Sequence, residues 1–150
     1  MINLSAPDLT QHPPRSPRVK LGGFVHLPRL LDKVRAANAG KLGDFVYPCP
    51  IDQRFFAFVG FSAEALQAEV AHGRSDSEML AWVLAQASPA RAPWEIAAWS
   101  EHLGTLAAGD ARRHRFFAET IETLAPARED VFTYFDRLDV DDYASYGGKP

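Results

Sequence analysis

Two stretches of this chain gather side chains able to do chemistry. The first runs from Pro13 to Arg35 (PPRSPRVKLGGFVHLPRLLDKVR) and sets Arg15, Arg18, Lys20, Arg29, Lys33 and Arg35 against one acid, Asp32. Arginine presents a planar fork of donors that fits phosphate and carboxylate, and lysine a compact point charge. The second, Pro48–Arg54 (PCPIDQR), holds the only cysteine, Cys49, between two prolines and follows it with Asp52 and Arg54. A thiol at a helix N-terminus beside a cation is the setting in which cysteine becomes a nucleophile. Taken as one surface, the two stretches predict an anion site built from Arg15, Arg18, Arg29, Lys33, Asp52 and Arg54. Its ligand would be a phosphate- or carboxylate-bearing small molecule, and whether a reaction follows binding stays open.

Each group also has a plainer reading. The cations can pair with acids elsewhere in the chain, as charge runs commonly do. Cys49 can be a small buried hydrophobe, which is the usual fate of a free cysteine. No histidine stands near it in sequence to act as a base, although folding could bring one close. Asp52 can serve as a helix cap, locked by Arg54 or by an arginine of the N-terminal arm.

The charge asymmetry supports a second function. Residues 1–40 carry six cations against two acids, and residues 41–150 carry ten against seventeen, so a chain of net charge −3 has a positive first quarter. Such an arm could grip an acidic protein surface, including Asp136, Asp139, Asp141 and Asp142 of a second copy. The alternative to the anion site is therefore a protein–protein interaction or scaffold module that forms homo-oligomers. Arg112, Arg113 and Arg115 make a smaller basic patch around His114, at a helix start where the dipole disfavours cations. That is consistent with salt bridges or with an anionic partner. With a pI near 5.9, coating of nucleic acid is a poor fit, since it needs a dominant basic surface.

Other chemistries find little support. The five histidines (His12, His26, His72, His102, His114) show no pair at the spacing of helical metal ligands, so neither a metal nor a cofactor is expected. No G-x-S-x-G elbow occurs. Trp82, Trp94, Trp99 and the Phe55–Phe58 and Phe116–Phe117 clusters read as core, with some surface left for a second subunit.

The elements that must position these groups are helices. Residues 1–23 contain four prolines and read as an irregular arm, closed by Gly22-Gly23. Pro28 suits the first turn of a helix whose stripe is Leu27, Leu30, Leu31 and Val34, leaving Arg29, Lys33 and Arg35 off the buried face. Gly40 stops it. Residues 44–50 read as extended. Further helices follow from Asp52, Ser62, Ser75, Pro93 and Asp110, the Ser75–Glu78 pair having capping-box spacing. Val131, Phe132, Phe135 and Leu138 mark a last turn or two, and residues 143–150 a fraying tail. This predicts an all-α, compact single domain over 1–150 with six or seven short helices.

At 150 residues and 47% hydrophobic content the chain can bury a core without disulfides, and one cysteine excludes an internal one. A reducing cytoplasm is the expected location. No apolar run reaches the length of a membrane span, and MINLSAPDLTQHPPR lacks the pattern of a secretory signal.

Several of these segments, in order, carry a resemblance. Asp8-Leu9-Thr10, Pro14-Arg15-Ser16-Pro17, Leu21-Gly22-Gly23, Leu27-Pro28-Arg29-Leu30-Leu31-Asp32-Lys33 and Cys49-Pro50-Ile51-Asp52-Gln53-Arg54-Phe55-Phe56 together resemble a family of bacterial proteins known as domain of unknown function 5069. They cover about the first third of the chain. The resemblance implies a small bacterial protein and brings no residue roles with it.

Overall fold

The computed structural model describes residues 6–150. An N-terminal arm with little regular structure leads into a two-stranded antiparallel hairpin, β1 (Lys20–Leu21) and β2 (Phe24–Val25), with Leu21 opposite Phe24. Gly22 and Gly23 form its turn at φ 57° and 83°, a left-handed backbone that glycine adopts without steric penalty. Seven helices follow: α1 (Leu27–Asn38), α2 (Pro50–Val59), α3 (Ala63–Val70), α4 (Asp76–Gln86), α5 (Pro93–Thr105), α6 (Ala111–Leu124) and α7 (Tyr134–Ser145). The chain is thus an all-α domain with an irregular start, and among the described residues no helix is long and apolar enough to cross a membrane.

Local chemistry sets the boundaries. Ser62, Ser75 and Asp110 each accept a hydrogen bond from a backbone N–H three residues on, capping α3, α4 and α6. The last helix differs from expectation. It begins at Tyr134, because Thr133 and Asp136 form the reciprocal cap, and it runs twelve residues to Ser145. Val131 and Phe132 therefore precede it, and Tyr143, Ala144 and Ser145 of the expected fraying tail belong to it.

The main core lies where α1, α2, α3 and α4 meet. Leu27, Leu30, Leu31 and Val34 of α1 are fully buried against Phe55, Val59, Leu66, Met79 and Val83. An aromatic group joins this core to α5, with Phe58 stacked on Trp99 at 5.0 Å and Phe24 edge-on to Phe55 at 5.6 Å. Trp82 and Trp99 pack against the core as expected, whereas Trp94 is exposed. The periodicity of α1 places Arg29 and Lys33 off its buried stripe, yet the structure buries both. Acidic partners from α7 and α2 draw them inward, so α1 is enclosed nearly all round.

Candidate functional site

Helix α1 acts as a bench to which the charged groups are fixed. On its N-terminal side the arm is held by ion pairs. Arg15 donates to Asp32 through Nε and a terminal nitrogen at 3.0 and 2.9 Å, and to Asp76 at 2.8 Å. Burial works against the Arg15 charge, but these two carboxylates outweigh it and make the group more basic than usual. Asp76 also takes Arg35 at 2.7 Å. Its partial burial would favour the neutral acid, and the two guanidinium groups reverse that and lower its pKa.

Helix α7 supplies the other partners. Arg18 pairs with Asp136 and, at 2.9 Å, with Asp139, while Ser16 donates to Asp139 at 2.7 Å. Arg29 holds Asp142 through both terminal nitrogens at 2.6 and 3.2 Å, in a pair almost closed to solvent. Burial raises the Asp142 carboxyl above its ordinary range, against the pull of Arg29. The acidic surface that this arm grips is thus α7 of its own chain. A cleft of about 440 Å³ opens beside the pair, and its charged lining is Asp44, Asp141 and Asp142.

The second cluster lies where α1 meets the start of α2, and it contains the thiol. Lys33 Nζ donates to Asp52 Oδ2 at 2.6 Å and to Cys49 Sγ at 3.4 Å. Cys49 is the N-cap of α2: its sulfur accepts from the Asp52 N–H at 3.5 Å, and its own N–H donates to Asp52 Oδ2 at 2.9 Å. This corrects two expectations. Asp52 is the third residue of the helix rather than its cap, and its carboxylate is locked by Lys33 and His26 rather than by Arg54. Cys49 is half-buried, with its sulfur in a polar setting, instead of packed as a hydrophobe. Arg54 points outward from α2 and makes no ion pair among the described residues.

Sequence reasoning did not single out His26. Its Nε2 lies 2.7 Å from Asp52 Oδ1, and the ring, 1% exposed, stacks on Phe135. Burial depresses its pKa, and Asp52 offsets this only in part. The imidazole is therefore neutral, donates its Nε2–H to the carboxylate, and leaves Nδ1 as a buried acceptor without a partner among the described residues. The backbone of His26 sits at φ 68°, a left-handed conformation uncommon outside glycine that is often retained near functional sites. The only sequence signal for it is a polar ring placed between a Gly-Gly turn and the Leu-Pro start of a helix.

Asp52 is fully buried, and burial alone would raise its pKa. The His26 hydrogen bond and the Lys33 charge more than reverse this, taking it from 3.8 to about 2. A carboxyl depressed in the folded chain contributes stability above its unfolded value and loses it as pH falls through the folded one. Urea midpoints should therefore drop as pH falls from 3.8 towards about 2, and Asp52→Asn should remove part of that slope. A slope that Asp52→Asn leaves unchanged would show that this carboxylate is not held as described.

Among the described residues no group of three or more His, Cys, Asp and Glu is arranged to hold a metal ion. Of the six residues expected at the site, Lys33 and Asp52 meet at the thiol. Arg15 and Arg29 adjoin each other beside Asp142, with the Arg15 carbonyl accepting from Arg29 at 3.3 Å. Arg18, in the arm, pairs instead with Asp136 and Asp139 of α7, and Arg54 stands apart. The family model described as a domain of unknown function (DUF5069) matches residues 11–144, which takes in both clusters. No curated protein matches the sequence.

Proposed function

The chain belongs to the DUF5069 family, and from that premise we propose that it is a small-molecule-binding protein that captures an anionic, electrophilic ligand at Cys49. The observation that carries the reading is Lys33 Nζ, placed 3.4 Å from the sulfur while anchored 2.6 Å from Asp52. An ammonium and a helix N-terminal N–H both donate to this sulfur, and such donors offset negative charge that develops on it or arrives beside it. Asp52 fixes Lys33 in place, and His26 fixes Asp52. Cys49 itself is half-exposed between Pro48 and Pro50, so an electrophile can reach it.

A buried Lys–Asp pair is a poor device for stability alone. The desolvation of two charges offsets much of their attraction, and apolar residues of similar volume hold two helices at least as well. A role in positioning charge at the thiol accounts for its presence. This reading narrows the anion site expected from sequence to Lys33, Asp52 and Cys49. The reducing cytoplasm is the compartment in which such a thiol stays free.

Alkylation of the native protein by iodoacetate and by iodoacetamide tests the reading, since the two reagents differ in charge. In each case the carboxymethyl or carbamidomethyl carbon bonds to sulfur, iodide leaves, and the thiol proton passes to solvent. The folded protein is expected to favour iodoacetate over iodoacetamide by a larger ratio than the same chain in denaturant does. The paired variant Lys33→Met/Asp52→Asn should lose that preference. Equal ratios in the folded and unfolded chain would overturn the proposal.

A further inference from the structure

Helix α6 has an amphipathic sequence, yet none of its side chains is buried. Within the chain it leans on α7, through Phe117 edge-on to Tyr134 at 6.3 Å and Arg137 over the Phe116 ring at 5.5 Å. Beside it a groove of about 500 Å³ is lined by Phe117, Ala118, Ile121, Pro126, Val131 and Phe132, with His114 and Glu122 at its rim. Phe116 and Phe132 are 61% and 67% exposed. Apolar surface gathered in this way marks a contact site.

The charges on α6 indicate what covers it. Its N-terminal half carries Arg112, Arg113, His114 and Arg115, with no acid in the first turn. Its C-terminal half carries Glu119 and Glu122, with no base in the last turn. Beyond the Asp110 cap this is the reverse of what the helix's own dipole favours, so the cations of the first half and the acids of the second sit unfavourably in a lone helix. A second α6 lying antiparallel corrects both ends together, because its acidic half and carbonyl end meet the basic half of the first. Ala118 is small enough for two helices to approach closely at the midpoint. His114 and Arg115 lie about one turn before it and Glu122 about one turn after it. A two-fold axis at Ala118 would therefore set Arg115 and His114 of one copy against Glu122 of the other, twice over, with Ile121 and Phe132 flanking the seam. The surface is complementary to itself, which is the requirement for an isologous interface.

We infer that the protein forms a two-fold dimer through antiparallel pairing of α6. Light scattering and sedimentation of the full chain from micromolar to millimolar concentration test this. The expected result is a species of twice 16.6 kDa, weakened by added salt because its charge pairs are partly exposed. Arg115→Glu alone and Glu122→Arg alone, both at exposed positions, should each give a monomer of unchanged helical content. The combined swap, Arg115→Glu with Glu122→Arg, should restore the dimer. A monomer at every concentration would overturn the inference, and so would a dimer that neither single reversal weakens or singles that the combined swap fails to rescue. Stable association with a different protein in place of self-association would also overturn it.

Discussion

Replacing Lys33 with methionine is expected to lower stability by about 3–5 kcal/mol, the usual result of removing one partner of a buried ion pair. Methionine fills much the same volume, so the loss comes chiefly from charge. Asp52 is fully buried and would keep a negative charge facing only the Cys49 N–H and the His26 Nε2–H. Two further results separate this from a packing defect. Lys33→Met/Asp52→Asn should recover most of the loss, because no charge is stranded: the amide oxygen still accepts from the Cys49 N–H, and the amide NH2 donates to His26 Nε2 once the neutral ring takes its other tautomer. In the single variant His26 should also become easier to protonate, since the cation beside its carboxylate is gone. The deficit should therefore shrink as pH falls through the ordinary histidine value of 6.5, where a protonated His26 replaces Lys33 as counter-ion. Urea unfolding of the single and paired variants across that range measures both effects. A single variant within about 1 kcal/mol of the parent would mean that water reaches Asp52.

Gly60→Ala is the second large effect. Gly60 ends α2 at φ 81°, and a Cβ placed there would lie 2.1 Å from the Ser88 carbonyl oxygen. That contact is with backbone, which cannot rotate away as a side chain would. Ser88 is itself tied to the same helix end by its N–H to Val59 O at 2.9 Å. A side chain in the left-handed region costs about 1–2 kcal/mol. Displacing packed backbone adds about 1–3 kcal/mol, for a total of roughly 2–5 kcal/mol. Gly40→Ala is the internal comparison, because Gly40 has φ 68° but nothing within 4 Å of its added Cβ. It should show the conformational part alone. Equal losses at the two positions would indicate that the Ser88 segment yields freely.

The features legible in the sequence are those written in short-range chemistry. Ser62, Ser75 and Asp110 announce helix starts because their side chains satisfy donors only three residues away. Gly22-Gly23 and Gly40 mark turns for an equally local reason. Thr133–Asp136 has the same reciprocal spacing, but the hydrophobic residues Val131 and Phe132 just before it suggest a helix that starts too early. Cys49 was illegible as a cap, since cysteine is not among the residues that usually fill that role. The burial of Arg29 was hidden for another reason. A 3.6-residue period places it beside the apolar stripe, and its partner Asp142 lies 113 residues further on. His26 left almost no trace, because one histidine on a turn carries no pattern. The candidate site was legible as a neighbourhood, through Lys33, Cys49 and Asp52, but its wiring depends on contacts that only folding creates.

The two buried cation pairs of α1 also differ in when they can form during synthesis. Lys33 and Asp52 are 19 residues apart, so the thiol-bearing centre can close soon after α2 leaves the ribosome. Arg29 waits for Asp142, and the Leu9 carbonyl waits for the Tyr146 hydroxyl 137 residues later. At ordinary elongation rates the interval for Arg29 is on the order of ten seconds. Through that interval α1 and α2 can be joined while the arm still lacks the carboxylates of α7. The nascent chain would therefore carry the joined Lys33, Asp52 and Cys49 beneath an open arm, and α7 would arrive last, closing the arm and covering His26 with Phe135.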